Sequence, residues 1–278
     1  MSTRYKLGWR PDVPDFRDYT PAHGKVSPLL ASSRTLMRST DNVRDKADLS
    51  EWCSPIEDQE QLGSCTAQAG AGLIEYFERR AFKNYTDASR LFLYKVTRNL
   101  MGVTGDTGAY LRDTMKAMVH FGVPPEEYLE YDITRFDVEP SAFLYSFAQN
   151  FNALTYFRLD ETGVSGRPLV ARVRQFIAAG YPSMFGFTVY NFGNDQGEFE
   201  FPAPGSRAVG GHAVVAIGYD DNRRIGQSTG ALKIRNSWGT AWGEQGYGWL
   251  PYQYIEEELA MDFWCLTKQE YVDSRKFD

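Results

Sequence analysis

Three cysteines and three histidines are all that this 278-residue chain offers for thiol or imidazole chemistry. They are Cys53, Cys65, Cys265, His23, His120 and His212. So few soft donors make a metal centre of several Cys and His ligands hard to build, and none is expected. Nucleophilic catalysis needs fewer groups. Cys65 opens the apolar-periodic run CTAQAGAGLIEYFERRAF, directly after the turn residues Gly63 and Ser64. A sulfur at a helix N-terminus sits where aligned peptide dipoles favour negative charge, which promotes a thiolate. On this residue alone the alternative of a buried cysteine acting as a small hydrophobe stays open. His212 lies in GGHAVVAIGYD, where two glycines open a run of apolar residues and leave the imidazole at a strand's beginning. Asn236, 24 residues on, ends the strand-like ALKIRN and is followed by Trp238, Trp242 and several glycines. A Cys/His pair needs a third group to orient the ring, and a carboxamide screened from water by an indole can supply it.

A serine nucleophile fits less well. GQSTG, from Gly226 to Gly230, matches the hydrolase-elbow string, but a strand-like segment rather than a helix follows Ser228 and no histidine comes after His212. A hairpin turn is expected there.

The elements that must position these groups fall into two halves. CTAQAGAGLIEYFERRAF sets Ala69, Leu73, Phe77 and Ala81 on one stripe with Ile74 and Phe82 beside it, an amphipathic helix opening at Ser64 or Cys65. Helical stretches follow at 89 to 101 and 108 to 122, the second stopped by Gly122 and Pro124. Beyond about residue 150, FNALTYFRL, PSMFGFTVY, EFEFP, HAVVAIGYD, ALKIRNSW and YGWLPY read as short strands, interrupted by one helix from Pro168 to Gly180. Helices first and strands second argue an α+β fold of two subdomains with a cleft between them. Residues 1–45 hold Pro11, Pro14, Pro21 and Pro28 and no sustained period, an extended arm with a short helix near Leu29 to Leu36.

Composition narrows the function. With 30 basic and 36 acidic residues the net charge is −6, and no Lys/Arg stripe offsets it, so nucleic-acid binding is disfavoured. No apolar run approaches the ~18 residues that cross a bilayer, and the polar N-terminus lacks the apolar core of a secretory signal. A monomer in the cytoplasm, or one exported unconventionally, is expected. GAG at Gly70 to Gly72 lacks the third glycine of a dinucleotide fingerprint, and no organic cofactor is indicated. The Asn84-Tyr85-Thr86 sequon carries little weight without a signal, and His23 and His120 lack catalytic neighbours.

Taken together these motifs resemble those of the papain-like cysteine protease family, bacterial members with a short prosegment in particular. Gln59 stands six residues before Cys65 in DQEQLGSCTA, as the family's oxyanion-hole glutamine does. GHAVVAIGY resembles the segment around the family's histidine, and NSWGTAWGEQGYG its asparagine segment. Cys65 to His212 spans 147 residues, inside the ~130–150 usual for such enzymes, while Asn236 lies 171 beyond Cys65 and implies an enlarged second subdomain. The resemblance runs from about residue 48 to the C-terminus. It implies an arm or prosegment over 1–45 and a catalytic domain over 46–278. That domain would hold a helical subdomain at about 49–145, a β-barrel-like subdomain at about 146–256 and a C-terminal crossover segment at 257–278. It also implies roles: Cys65 as thiolate nucleophile, His212 as acid and base, Asn236 as its orienter, Gln59 with the Cys65 N–H as oxyanion donors, Trp238 as shield. Gly108, Ala109, Tyr110, Leu111, Gly211 and Ala213 would bind a protein or peptide substrate.

Departures are specific. Where the family usually has C-G-S-C-W, the chain reads Leu62-Gly63-Ser64-Cys65-Thr66, and its G-C-N-G-G segment resembles Gly105-Asp106-Thr107-Gly108-Ala109, so both halves of a family disulfide are missing together. Cys53 and Cys265 could pair or stay separate. The arm lacks the long helical signature of typical family propeptides and is expected to be an inhibitory prosegment lying in the cleft, against the alternative of an arm packed on the surface. The same residues would also serve a transpeptidase or deamidase, an enzyme that processes its own arm, or a module that captures peptides without turnover.

Overall fold

The computed structural model describes residues 5–31, 43–152, 155–274 and 276. Nine strands are described: β1 (Trp9–Arg10), β2 (Lys46–Asp48), β3 (Ala109–Tyr110), β4 (Thr155–Arg158), β5 (Ser183–Val189), β6 (Gly210–Ile225), β7 (Ser228–Arg235), β8 (Tyr247–Pro251) and β9 (Ala260–Thr267). The α-helices are α1 (Ser27–Ala31), α2 (Cys65–Phe82), α3 (Arg90–Leu100), α4 (Leu111–Phe121), α5 (Ala142–Ala148), α6 (Gly166–Ala178), α7 (Gln253–Glu256) and α8 (Gln269–Asp273). The first half is helical and the second is an antiparallel sheet ordered β4-β9-β5-β6-β7-β8, with β2 added on β6. This is the expected α+β, papain-like arrangement. Among the described residues the sheet is open, because β4 and β8 form its two ends and do not pair with each other, so the barrel-like expectation is corrected to an open antiparallel sheet.

α2 is the central element. It packs on β5 and β6 on one side and on α3 and α4 on the other. Such a position explains why the expected amphipathic stripe is too narrow: every residue from Cys65 to Phe77 is buried, and Phe82 at the far end is exposed. A helix buried on all faces needs small residues where neighbours come close, which the run CTAQAGAG supplies. α3 begins one residue later than a bare period suggests, because the Ser89 hydroxyl caps it by accepting from the Phe92 N–H at 3.2 Å. Ala109 and Tyr110, expected inside a helix, form β3 instead, and α4 starts at Leu111.

In the β half, β6 and β7 are joined by the two-residue turn Gly226-Gln227, with Ile225 opposite Ser228. The serine of GQSTG is therefore a hairpin residue, as expected. EFEFP does not form a strand. Phe199 donates to Trp249 O and Trp249 to Gly197 O, and the segment then meets Pro202 and Pro204, which cannot continue a ladder. The segment read as a C-terminal crossover contains β9, which lies in the middle of the sheet between β4 and β5. Cys53 and Cys265 are separate buried thiols. α1 occupies 27–31; residues 32–36 of the helix expected there lie outside the described residues.

Candidate active site

Cys65 is the first residue of α2 and is fully buried. Ser64, before it, does not cap the helix with its side chain; its hydroxyl is 2.7 Å from that of Tyr131. His212, in β6, is also fully buried, and its Nε2 lies 2.7 Å from Asn236 Oδ1. That contact assigns the Nε2 proton to a donor role and leaves Nδ1, which has no hydrogen bond among the described residues, on the other edge of the ring. The next residue, Ala213, directs its backbone N–H at the Cys65 sulfur. β6 thus meets the start of α2 through Ala213, next to His212, and Asn236, bound to that imidazole, lies one residue past the end of β7. Trp238 lies stacked on the imidazole at 4.4 Å between ring centroids and 22° between planes, and is 1% exposed.

Gln59 is drawn to the same place. Its Oε1 accepts from the Ser237 hydroxyl at 2.8 Å, its backbone N–H donates to Ser237 O at 2.9 Å, and its Nε2 donates to Leu62 O at 2.9 Å. A fourth bond leaves the body of the protein: Gln59 Nε2 also donates to the carbonyl of Lys6 at 2.8 Å.

That bond belongs to a strand of the arm laid through the site. Tyr5 stacks on Trp238 at 4.8 Å and 10°. The Gly8 N–H interacts with the Cys65 sulfur, and Gly8 O accepts from the Ala109 N–H at 2.8 Å. β1 then runs parallel to β3, with Trp9 opposite Ala109 and Arg10 opposite Tyr110. The fit depends on glycine: a Cβ on Gly8 would lie 2.0 Å from Gly63 O, and one on Gly108 would lie 2.1 Å from Gly8 O. Of the residues expected to bind substrate, Gly108, Ala109, Tyr110 and Gly211 meet the arm, with the Arg10 guanidinium 5.2 Å from the Tyr110 ring and Trp9 against Gly211. Ala213 meets the thiol, while Leu111 is a fully buried core residue at the start of α4. Beyond Arg10 the arm is anchored by charge. Arg112 binds both Asp12 and Asp18, at 2.8 Å to Asp18 Oδ2, and Arg158 Nη2 donates to Asp12 O at 2.7 Å.

Burial governs the electrostatics. It pushes the Cys65 thiol up to about 11, although the N–H groups of Ala213, Gly8 and Thr66 pull the other way. It depresses His212 to about 4, only partly offset by the Asn236 hydrogen bond. Under the arm both groups are therefore neutral near pH 7.

Two residues here, Ser237 and Asp262, carry no signal in the sequence, and a third, Asp106, is marked there only as a lost disulfide cysteine. Asp106 stands where the family has its second disulfide cysteine; its carboxylate accepts from the Gly63 N–H at 3.0 Å and pairs with Lys6 at 2.6 Å. Hydrogen bonds thus fix the loop before Cys65 where a disulfide is lacking. Ser237 gives no periodic signal, as a serine in a glycine-rich segment. Asp262, fully buried in β9, follows an acidic stretch and reads as its continuation. Among the described residues no cluster of His, Cys, Asp and Glu could hold a metal ion, and no helix is long and apolar enough to cross a membrane.

Comparison with known proteins agrees with this architecture. A family model described as papain family cysteine protease matches residues 40–262. An uncharacterized peptidase C1-like protein of Acanthamoeba polyphaga mimivirus is 34% identical over 227 residues, 78% of this chain and 70% of that protein. The crystal structure of xylellain, a cysteine protease from Xylella fastidiosa, is 32% identical and superposes with a TM-score of 0.74, covering 96% of this chain and 98% of that one. Procathepsin B of Trypanosoma congolense, at 16% identity and a TM-score of 0.66, shares the fold over 94% of this chain and 85% of its own.

Proposed function

Because the chain belongs to the papain family of cysteine proteases and is a cysteine-type hydrolase, we propose that it cleaves peptide bonds with Cys65, His212 and Asn236 and is held inactive by its own N-terminal strand. One observation carries the reading: a buried His212 bound through Nε2 to Asn236 and followed by a residue whose N–H meets the thiol of Cys65.

The chemistry follows from those positions. His212 Nδ1 takes the thiol proton, and the thiolate attacks a peptide carbonyl carbon. The carbonyl π pair moves to oxygen, where Gln59 Nε2 and the Cys65 N–H stabilise the developing charge. As the tetrahedral intermediate collapses the C–N bond breaks, and the imidazolium protonates the departing amine. Water, deprotonated by His212, then attacks the thioester, and the thiol regains its proton as the acid leaves. Asn236 fixes the ring so that Nδ1 faces the sulfur throughout.

The arm supports the inhibitory half of the reading. Attack needs one carbonyl presented to the sulfur and to Gln59 together. Along the arm, the carbonyl at Gln59 belongs to Lys6, whereas the group at the sulfur is the amide of Gly8, two residues on. The strand therefore fills the site without offering it a cleavable bond.

Gly8→Val tests this, since its branched Cβ meets the Gly63 carbonyl and must lift the strand while leaving the catalytic groups intact. Overpacking of this kind costs ~1–3 kcal/mol, so hydrolysis of a fluorogenic peptide and labelling of Cys65 by an epoxysuccinyl reagent are both expected to rise about 10-fold or more. Cys65→Ala in the same background abolishes both. Equal rates in wild type and Gly8→Val would remove the inhibitory role; absence of hydrolysis by a Gly8→Val protein that labels normally would remove the peptidase.

A further inference from the structure

Trp9 occupies a pocket made for it. Its ring lies against Gly186 in β5, where a Cβ would sit 1.9 Å from Trp9 Cε2, and against Gly211 in β6, where a Cβ would sit 2.7 Å from Trp9 Cε3. Two residues without side chains on adjacent strands open a flat slot in the sheet. At its end stands a carboxylate: Trp9 Nε1 donates to Asp262 Oδ2 at 3.1 Å.

The carboxylate is aimed there by the backbone. Between the pairs Met184–Trp264 and Gly186–Met261, β9 holds one more residue than β5, and Asp262, at this bulge, has a positive φ of 67°. Bulges of this kind redirect a side chain, and a non-glycine residue in the left-handed region is a strain the fold must compensate. The rest of the group is held by the body: Oδ1 accepts from Trp264 Nε1 at 2.7 Å and lies 3.3 Å from Arg158 Nη1. Oδ2 takes its N–H from the arm. Once the arm leaves, a buried carboxylate oxygen faces the slot without that donor, and a purely hydrocarbon side chain entering the slot cannot restore it.

Gly8 lies at the thiol and Trp9 one residue further along β3, so the slot receives the substrate residue next to the one being cleaved. Resting on the peptidase reading above, we infer that Asp262 makes this slot select a flat side chain bearing an N–H at its far edge, tryptophan above all, over a hydrocarbon ring of similar size.

The test uses the Gly8→Val protein and fluorogenic peptides identical except at the residue next but one to the fluorophore, which is Trp, 1-methyltryptophan, Phe or Leu. Methylation at N1 keeps the ring and removes only the donor. The loss of the donor leaves a buried carboxylate oxygen unpaired, so at pH 8, above the value of about 7 to which burial raises Asp262, kcat/KM for Trp should exceed that for 1-methyltryptophan and Phe by about 10-fold or more. Asp262→Asn should narrow that ratio to about two, since the amide can turn a donor toward the indole. Equal kcat/KM for Trp, 1-methyltryptophan and Phe, or an unchanged ratio in Asp262→Asn, would overturn the inference and leave the peptidase standing. Cleavage of none of the four by a protein whose Cys65 still labels would overturn both. The methylated substrate keeps the test intact should Asp262→Asn fail to fold.

Discussion

Two stretches of the arm lie side by side and are held in opposite ways. From Tyr5 to Arg10 the chain is fixed by shape and backbone: Gly8 pressed on Gly63, Gly8 O on the Ala109 N–H, Lys6 O on Gln59, Tyr5 on Trp238 and Trp9 in its slot. From Asp12 to Tyr19 it is fixed by two arginines of the body, Arg112 on Asp12 and Asp18, and Arg158 on Asp12 O, with the Arg158 N–H on Tyr19 O. On the proposed reading the first stretch covers the chemistry and the second ties the cover down. Blocking and tethering are thus separable, and each should respond to a different perturbation.

The largest contrast is expected in the reactivity of Cys65. In the closed protein burial raises the thiol to about 11, so the proton held there favours the closed state at low pH, and that contribution is lost as pH rises through about 11. Alkylation of wild type by iodoacetamide should therefore climb steeply between pH 8 and 11. In Gly8→Val the solvated thiol beside His212 should react by pH 7 at a rate on the order of 100-fold above wild type. Superimposable pH profiles would mean that the strand does not control the thiol.

A smaller effect is expected from Arg112→Ala. It removes the charged partner of two carboxylates, yet leaves Arg158 and every contact of the blocking stretch in place. Peptidase activity should rise about 5- to 10-fold, and added salt should bring wild type toward the variant, because screening weakens the same pairs. Activity as high as that of Gly8→Val would show that tether and block are a single device. The smallest effect belongs to Lys6→Ala. The ammonium is half exposed, so although it reaches Asp106 at 2.6 Å its loss should change activity by about twofold or less. A tenfold rise would move the main hold on the arm to its outer edge.

Much of this was legible in the sequence. Cys65 at a helix start, His212 at a strand start and Asn236 at a strand end carried both the fold class and the candidate site, because one nucleophile, one imidazole and one carboxamide at those positions suit few other uses. The turn at Gly226 could be read because its two glycines flank strands with clear patterns. Other features could not. β9 was hidden because AMDFWCLT, a central strand buried on both faces, has no alternation and follows an acidic helix end. EFEFP alternates like a strand but meets proline before it can pair. Asp106 looked like a simple loss of cysteine; that its carboxylate takes over the role of fixing the loop depends on atoms 43 residues apart in the chain.

By itself, then, the sequence determined which groups could react and on what kind of element each sits, since helix starts, glycine turns and apolar runs are local properties. It also marked the arm as extended. Only the tertiary structure decided where that strand goes, which way it runs and which atom it presents to the sulfur. The parallel pairing with β3, the glycine contacts on both sides of Gly8 and the carboxylate at the end of the Trp9 slot each join segments distant in sequence, and no local pattern encodes a contact whose free energy depends on two such surfaces meeting.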